Sequence, residues 1–146
     1  MSPEDKSRCE RECTRLSTDF AWTVDSHAYD AFVALFAPDG VFERAGQPCR
    51  GHEAIRQFLD ARPAGRVTRH LCSNIRVDMT GPDTAMGGCS ALMYHAAVEK
   101  AVSAATDAQR PLPVSAPVVV DYLDDYVLTS SGWKFKYRRT TIVFQP

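Results

Sequence analysis

Asp25 and His70 are the residues of this 146-residue chain whose types could carry out proton transfer together. A carboxylate bound to one imidazole nitrogen fixes the ring's tautomer. It also stabilises the imidazolium that forms when the other nitrogen takes a proton. Imidazoles as a class titrate near neutrality, which suits base catalysis. The two residues lie far apart in the sequence, so the elements carrying them must bring them together. Other combinations are weaker. In Asp25-Ser26-His27 the ligating types stand two residues apart and point to different sides of a helix, so no metal chelate is expected. Ser73 faces away from His70 on a strand, and no nucleophile elbow is present. No glycine-rich phosphate loop, dinucleotide fingerprint or flavin signature occurs, so no cofactor is expected.

The elements follow from the patterning. Ser2 with Pro3, Glu4 and Asp5 starts a helix, with a capping hydroxyl and acids at the positive dipole end. Cys9, Cys13, Leu16, Phe20 and Val24 recur at helical spacing, so one stripe faces a core and Asp25 lies at its far end. A shorter helix is expected around Tyr29, Phe32, Val33 and Phe36. Pro38-Asp39-Gly40 ends it and turns the chain into a short strand, Val41 to Arg44, which Gly46-Gln47-Pro48 breaks. Gly51 to Ala61 reads as a third helix.

After Arg62-Pro63-Ala64-Gly65 the period changes to two. Residues 67–80 place Leu71, Ser73, Ile75, Val77 and Met79 on one side, and His70, Cys72, Asn74, Arg76 and Asp78 on the other. Gly81-Pro82-Asp83 turns into a strand over 84–100. A hairpin of this shape sets the residue opposite His70 near Tyr94, and a bulge would bring His95 there instead. Ala101 to Ala116 reads as a flexible excursion. Pro117–Thr129 and Trp133–Phe144 form a last hairpin. Straight alternation puts Trp133, Phe135, Tyr137, Arg139 and Thr141 on one face. Lys134, Lys136 and Arg138 then form a solvated face or part of a subunit interface. Helices early and strands late argue one α+β domain over residues 1–146. Its three N-terminal helices pack on a strongly curved antiparallel sheet, a cone with an interior pocket.

Bulk properties narrow the function classes. The hydrophobic and charged fractions, 45% and 24%, are those of an ordinary globular protein. A formal charge of −1 gives no electrostatic case for nucleic acid. No apolar run has the length of a membrane span and no secretory leader is visible, so a cytoplasmic location is expected. The cysteines (Cys9, Cys13, Cys49, Cys72, Cys89) are odd in number and lack metal or framework spacing, so no disulfide is expected.

The chain resembles the nuclear transport factor 2-like superfamily, and within it the SnoaL-like branch. The resemblance rests on Asp25, Ala34-Leu35-Phe36-Ala37-Pro38-Asp39-Gly40-Val41-Phe42 and Gly51-His52-Glu53-Ala54-Ile55-Arg56-Gln57-Phe58-Leu59. Arg69-His70 with Asn74, Tyr122-Leu123-Asp124 and Gly132-Trp133-Lys134-Phe135 complete it, over roughly residues 10 to 144. Each motif is weak alone; their order is specific for fold, not for reaction. Within the superfamily the chain is similar to scytalone dehydratase and the lindane dehydrochlorinase at the positions of Asp25 and His70. That similarity implies His70 as base and Asp25 as its orienting partner, with His95 matching a second pocket histidine. The dehydratase's pocket tyrosines are replaced by Val24 and by Phe42 or Arg44.

The expected function is therefore a cofactor-independent lyase or isomerase acting on a small, largely apolar carbonyl compound of polyketide- or terpenoid-like type. Tyr94, Tyr122, Arg139 or Asn74 would polarise the substrate oxygen. Trp22, Phe36, Phe42, Phe58 and Leu71 would supply the apolar wall. His52 is expected at the surface, and Trp133 and Phe135 in the core. The alternatives are a non-catalytic binding module or partner subunit, and an epoxide-opening hydrolase or cyclase. No nucleic-acid or membrane partner is expected, and the resemblance implies a homodimer.

Overall fold

The computed structural model describes residues 1–97 and 111–146. The 98–100 end of the strand expected over 84–100, and most of the Ala101–Ala116 excursion, lie outside the described residues. Helix α1 runs Pro3–Asp25, α2 Tyr29–Val33 and α3 Gly51–Asp60. Strands are β1 Phe36–Arg44, β2 Gln47–Arg50, β3 Arg66–Met79, β4 Thr84–Ala97, β5 Val118–Thr129 and β6 Gly132–Phe144. They form one six-stranded, unclosed sheet in the order β2-β1-β6-β5-β4-β3. Every neighbouring pair is antiparallel except β1 with β6, which is parallel. Among the described residues no helix is long and apolar enough to cross a membrane.

The start of α1 follows from its capping box. The Ser2 hydroxyl accepts the Asp5 N–H and the Asp5 carboxylate accepts the Ser2 N–H. The expected stripe is buried: Cys9, Cys13, Leu16, Phe20 and Val24 face the sheet. Phe20 then meets Phe32, Phe42, Tyr122 and Phe135 at centroid distances of 4.6–6.2 Å, the edge and tilted contacts that aromatic rings favour.

The early strands depart from expectation at two places. The strand ends at Arg44 as expected, but Gln47-Pro48 opens a further strand, β2. Ala45 and Gly46 both take positive φ, 50° and 76°, and close a two-residue turn pairing Arg44 with Gln47. Pro48 is tolerated because β2 is the sheet edge. Strand β1 begins at Phe36 rather than Val41, with its irregularity at Pro38-Asp39-Gly40, where the pairing to β6 slips.

Two bulges within the long strands then overturn the straight alternation assumed for them, and a third irregularity, at Val143, shifts the end of β6. In β3, Ser73 pairs with Ser90 and Arg76 with Gly88, so Asn74 and Ile75 share one place in the ladder and Asn74 takes φ 54°. His70 and Cys72 face inward before the bulge. Ile75, Val77 and Met79 pack on the core after it, and Asn74 and Arg76 are exposed. In β6, Phe135 pairs with Tyr126 and Tyr137 with Asp125, leaving Lys136 as the extra residue. Trp133 and Phe135 face the core as expected, but beyond Lys136 the inward set becomes Arg138 and Thr140.

Arg138 is thus not part of a solvated face with Lys134 and Lys136. It is fully buried and grips Asp124 with two hydrogen bonds of 2.7 Å. Tyr126 donates to the same carboxylate, and Arg138 donates to the Ser17 hydroxyl on α1. The guanidinium lies 4.1–4.5 Å from the ring centroids of Phe20, Tyr122 and Phe135. This ion pair ties α1, β5 and β6 together beneath the cavity.

Candidate active site

Asp25 is the last residue of α1, and the chain there is fastened to the start of β3 by four side chains. Thr68 donates its hydroxyl to Asp25 Oδ1 at 2.8 Å. The His70 backbone N–H donates to Asp25 Oδ2 at 2.8 Å. His70 Nδ1 lies 2.6 Å from Asp25 Oδ1. Arg62 donates to the Val24 carbonyl and the Tyr29 hydroxyl, both at 3.0 Å, and to Thr68 Oγ1 at 3.2 Å. One turn past the helix, His27 donates from Nε2 to the Arg66 carbonyl at 3.0 Å. Thr68 and His70 are two apart on one strand and so point the same way, into the cone.

The electrostatics follow from this geometry. The His70 and Asp25 side chains are only 9% and 12% exposed. Burial pushes the Asp25 carboxyl upward, but hydrogen bonds from the His70 ring, the His70 backbone and Thr68 outweigh it and hold Asp25 below the ordinary aspartate value. An ionised carboxylate can only accept. His70 Nδ1 therefore carries the hydrogen, and whenever the ring is neutral the lone pair is on Nε2. Among the described residues no hydrogen bond is made to Nε2.

His70 lines an interior cavity of about 250 Å³. Phe42, Phe58, Met93, Val118 and Tyr122 contribute its apolar wall, with Val24 at the helix end. Burial pushes the Tyr122 phenol up, so it remains a neutral hydrogen-bond donor. A second, open groove lies between α1 and β3, where Trp22, Leu71 and Tyr94 meet the other side of His70. Among the described residues no three His, Cys, Asp or Glu side chains converge as a metal-ligand set.

The structure brings His70, Phe42, Phe58 and Tyr122 to this cavity, sets Asp25 behind His70 on the side of the open groove, and separates the rest. Trp22 is 77% exposed on the outer side of α1, since it lies off the buried stripe. Leu71 is 55% exposed because its neighbour His70 takes the inner face. Phe36 is buried in the aromatic core and does not line the cavity. Asn74 is turned out by the bulge into a shallow depression with Gly87 and Gly88. Tyr94 pairs with Arg69 and so shares its outer side, bordering the groove rather than the cavity. Arg139 is exposed and sits 3.4 Å from Glu43. The bulge puts Met93 opposite His70; His95 is opposite Thr68 and exposed, outside the residues that line the cavity. His52 is only half-exposed, its Nε2 donating to the Phe36 carbonyl at 2.8 Å.

Sequence reasoning missed Thr68, Arg62 and Arg66, and named Arg44 only as one candidate for the place of a pocket tyrosine. Thr68 was within reach, because a residue two before His70 shares its face. Arg62 sits in what reads as a helix-ending break, and nothing local marks its three hydrogen bonds.

The comparisons extend this picture. Residues 5–139 match the family model described as the SnoaL-like domain. Among curated proteins no significant sequence match is found. Solved structures match over nearly the whole chain. A protein of unknown function from Mycobacterium tuberculosis is 22% identical, with TM-score 0.78 over 99% of this chain and 78% of its own. A candidate scytalone dehydratase from Novosphingobium aromaticivorans is 21% identical, with TM-score 0.75 over 92% of this chain and 83% of that one. The hexachlorocyclohexane dehydrochlorinase LinA-type3 of Novosphingobium barchaimii is 16% identical, with TM-score 0.80 over 98% and 92%. At these identities the likeness concerns the fold. By the match across residues 5–139 the chain belongs to the SnoaL-like domain family, and its helices and curved sheet have the nuclear transport factor 2-like fold.

Proposed function

We propose that this protein is a cofactor-independent lyase or isomerase, with His70 as the base that removes a proton activated by a neighbouring carbonyl group. The observation that carries the reading is the 2.6 Å contact between His70 Nδ1 and Asp25 Oδ1 at the wall of an apolar cavity. Asp25 fixes the tautomer and balances the imidazolium. Thr68, Arg62 and the His70 backbone hold Asp25 in turn. Tyr122 is the one residue among the four expected polarising groups that lines the cavity, and as a neutral donor it suits the oxygen on which charge develops. A base placed this way contributes about 10²–10⁴-fold in rate. Fold neighbours that include a candidate scytalone dehydratase and a dehydrochlorinase support elimination chemistry. Epoxide opening would need further carboxylates or polar water-holding groups at the substrate; no carboxylate lines the cavity among the described residues.

The same reading takes the protein as a homodimer. Leu71, Leu92, Val119 and Phe144 are successive partners across β3, β4, β5 and β6, so they share the outer sheet face as one apolar row. It also takes the cytoplasm as the compartment, in keeping with five cysteines that are all free. The test of the site is a structure with 2-tetralone, an apolar ketone with an acidic C–H. The reading expects the ketone in the cavity with that carbon about 3–3.5 Å from His70 Nε2. Ketone bound only in the outer groove would refute it.

A further inference from the structure

The cavity carries a charge that proton abstraction from a neutral ketone does not require. Three arginines line it, Arg44 from the end of β1, Arg62 after α3 and Arg66 at the start of β3, and no Asp or Glu lines it among the described residues. The guanidiniums are close enough to act on one another. Burial first, then the charges of Arg62 and Arg44, hold Arg66 below the ordinary arginine value. Three like charges gathered at one opening destabilise the empty protein unless something compensates them.

The nearby acids are committed elsewhere. Glu43 lies beside Arg44 in sequence but hydrogen-bonds Tyr137 and pairs with Arg139. Asp30 and Asp60 both pair with Arg56 on α3. Asp25 binds His70 and Thr68, and meets Arg62 only through the Thr68 hydroxyl. Arg62 itself is held by three neutral acceptors. Arg44 is exposed and Arg66 half-buried, so the arginine side of the cavity is its solvent-facing rim. Thr140, the ladder partner of Arg44, also lines the cavity. A site with a basic rim and an apolar wall has the polarity of an amphipathic anion.

We infer that the substrate of this site carries a carboxylate, held at the rim by Arg44 and Arg66 beside the fixed Arg62, with its apolar body inside the cavity. The inference rests on the proposal that the cavity is the substrate site, and it narrows the substrate class from apolar carbonyl compounds to apolar carbonyl acids. Arginine suits the task because its planar fork meets both carboxylate oxygens.

The experiment titrates the full chain with 2-naphthoate and with its neutral counterpart 2-naphthalenemethanol by calorimetry, at low and high salt. The acid should bind at least about tenfold tighter at 50 mM salt, and the preference should shrink at 500 mM as the rim charges are screened. Replacing Arg44→Gln and Arg66→Gln together should bring the two probes within about twofold of each other. Circular dichroism of the variant checks that it is folded, and both positions are accessible enough to tolerate the change. Equal binding of acid and alcohol, binding of neither at millimolar concentration, or a preference unchanged in the folded double variant would overturn the inference. Proton transfer is read separately, from exchange into a neutral ketone with His70→Ala as the control. Loss of the acid preference with exchange intact sinks only the rim. Preference retained with exchange no faster than in His70→Ala sinks only the base.

Discussion

Asp25 takes three hydrogen bonds from two residues, and that concentration gives it both a structural and a chemical role. Hydrogen bonds to a charged group contribute about 1.5–3 kcal/mol each, so the carboxylate helps to anchor the end of α1 on β3. Because its folded value is depressed, this contribution is present above the unfolded aspartate value of about 3.9 and is lost as pH falls through the folded one. Urea unfolding should therefore show Asp25→Asn less stable than the parent at pH 6, with the gap closing progressively as pH falls below about 4. A gap that stays constant across that range would mean that Asp25 is not held as a carboxylate. Thr68 is the neighbour to probe next: Thr68→Val keeps the shape and removes the donor to Asp25 Oδ1. It should lower turnover by less than His70→Ala does, since the two His70 contacts to Asp25 remain.

At the scale of elements, two bulges decide which side chains reach the interior. Without the one at Lys136, Arg138 would face solvent and Asp124 would lack its partner. Breaking such a buried pair costs about 3–5 kcal/mol, whereas replacing both members with apolar groups is often neutral. Arg138→Met should thus lower the urea midpoint sharply, and adding Asp124→Leu should recover much of the loss. Equal losses for the single and double changes would contradict the pairing. These bulges also mark where the sequence stops being legible. The capping box, the α1 stripe, the late strands and the position of His70 on a strand follow from spacing and period alone. A bulge shifts the period by one residue without a strong local signal. Straight counting therefore placed Asn74 inside and Arg138 outside, both the reverse of the fold. The same counting put Tyr94 opposite His70, and an assumed bulge put His95 there. The actual bulge shifts the register the other way and sets Met93 there. Gly87 shows how closely β4 approaches β3 beside the bulge, because a Cβ there would come within 2.2 Å of the Arg76 carbonyl oxygen.

At the scale of the whole molecule, the sheet has one face around the cavity and one face carrying an apolar row. Leu71, Leu92 and Phe144 are 55%, 40% and 67% exposed, and they form a stripe across four strands rather than scattered singles. A second copy covering this face would leave the cavity free. Light scattering after size exclusion should give twice the chain's mass, and Leu92→Glu with Leu71→Glu should shift the protein to single chains. A parent protein that runs as a single chain at micromolar concentration would rule out the dimer.

The central claim is that His70 is a base whose competence depends on Asp25. It is tested most directly by the rate of deuterium uptake into 2-tetralone in heavy water, followed by proton magnetic resonance for the parent, His70→Ala and Asp25→Asn. The account predicts exchange well above the protein-free rate for the parent. His70→Ala should lower it by about 10²–10⁴-fold. Asp25→Asn should also fall markedly while leaving the protein folded, because the ring loses the acceptor that fixes its tautomer. Exchange in either folded variant at the parent's rate would contradict the account.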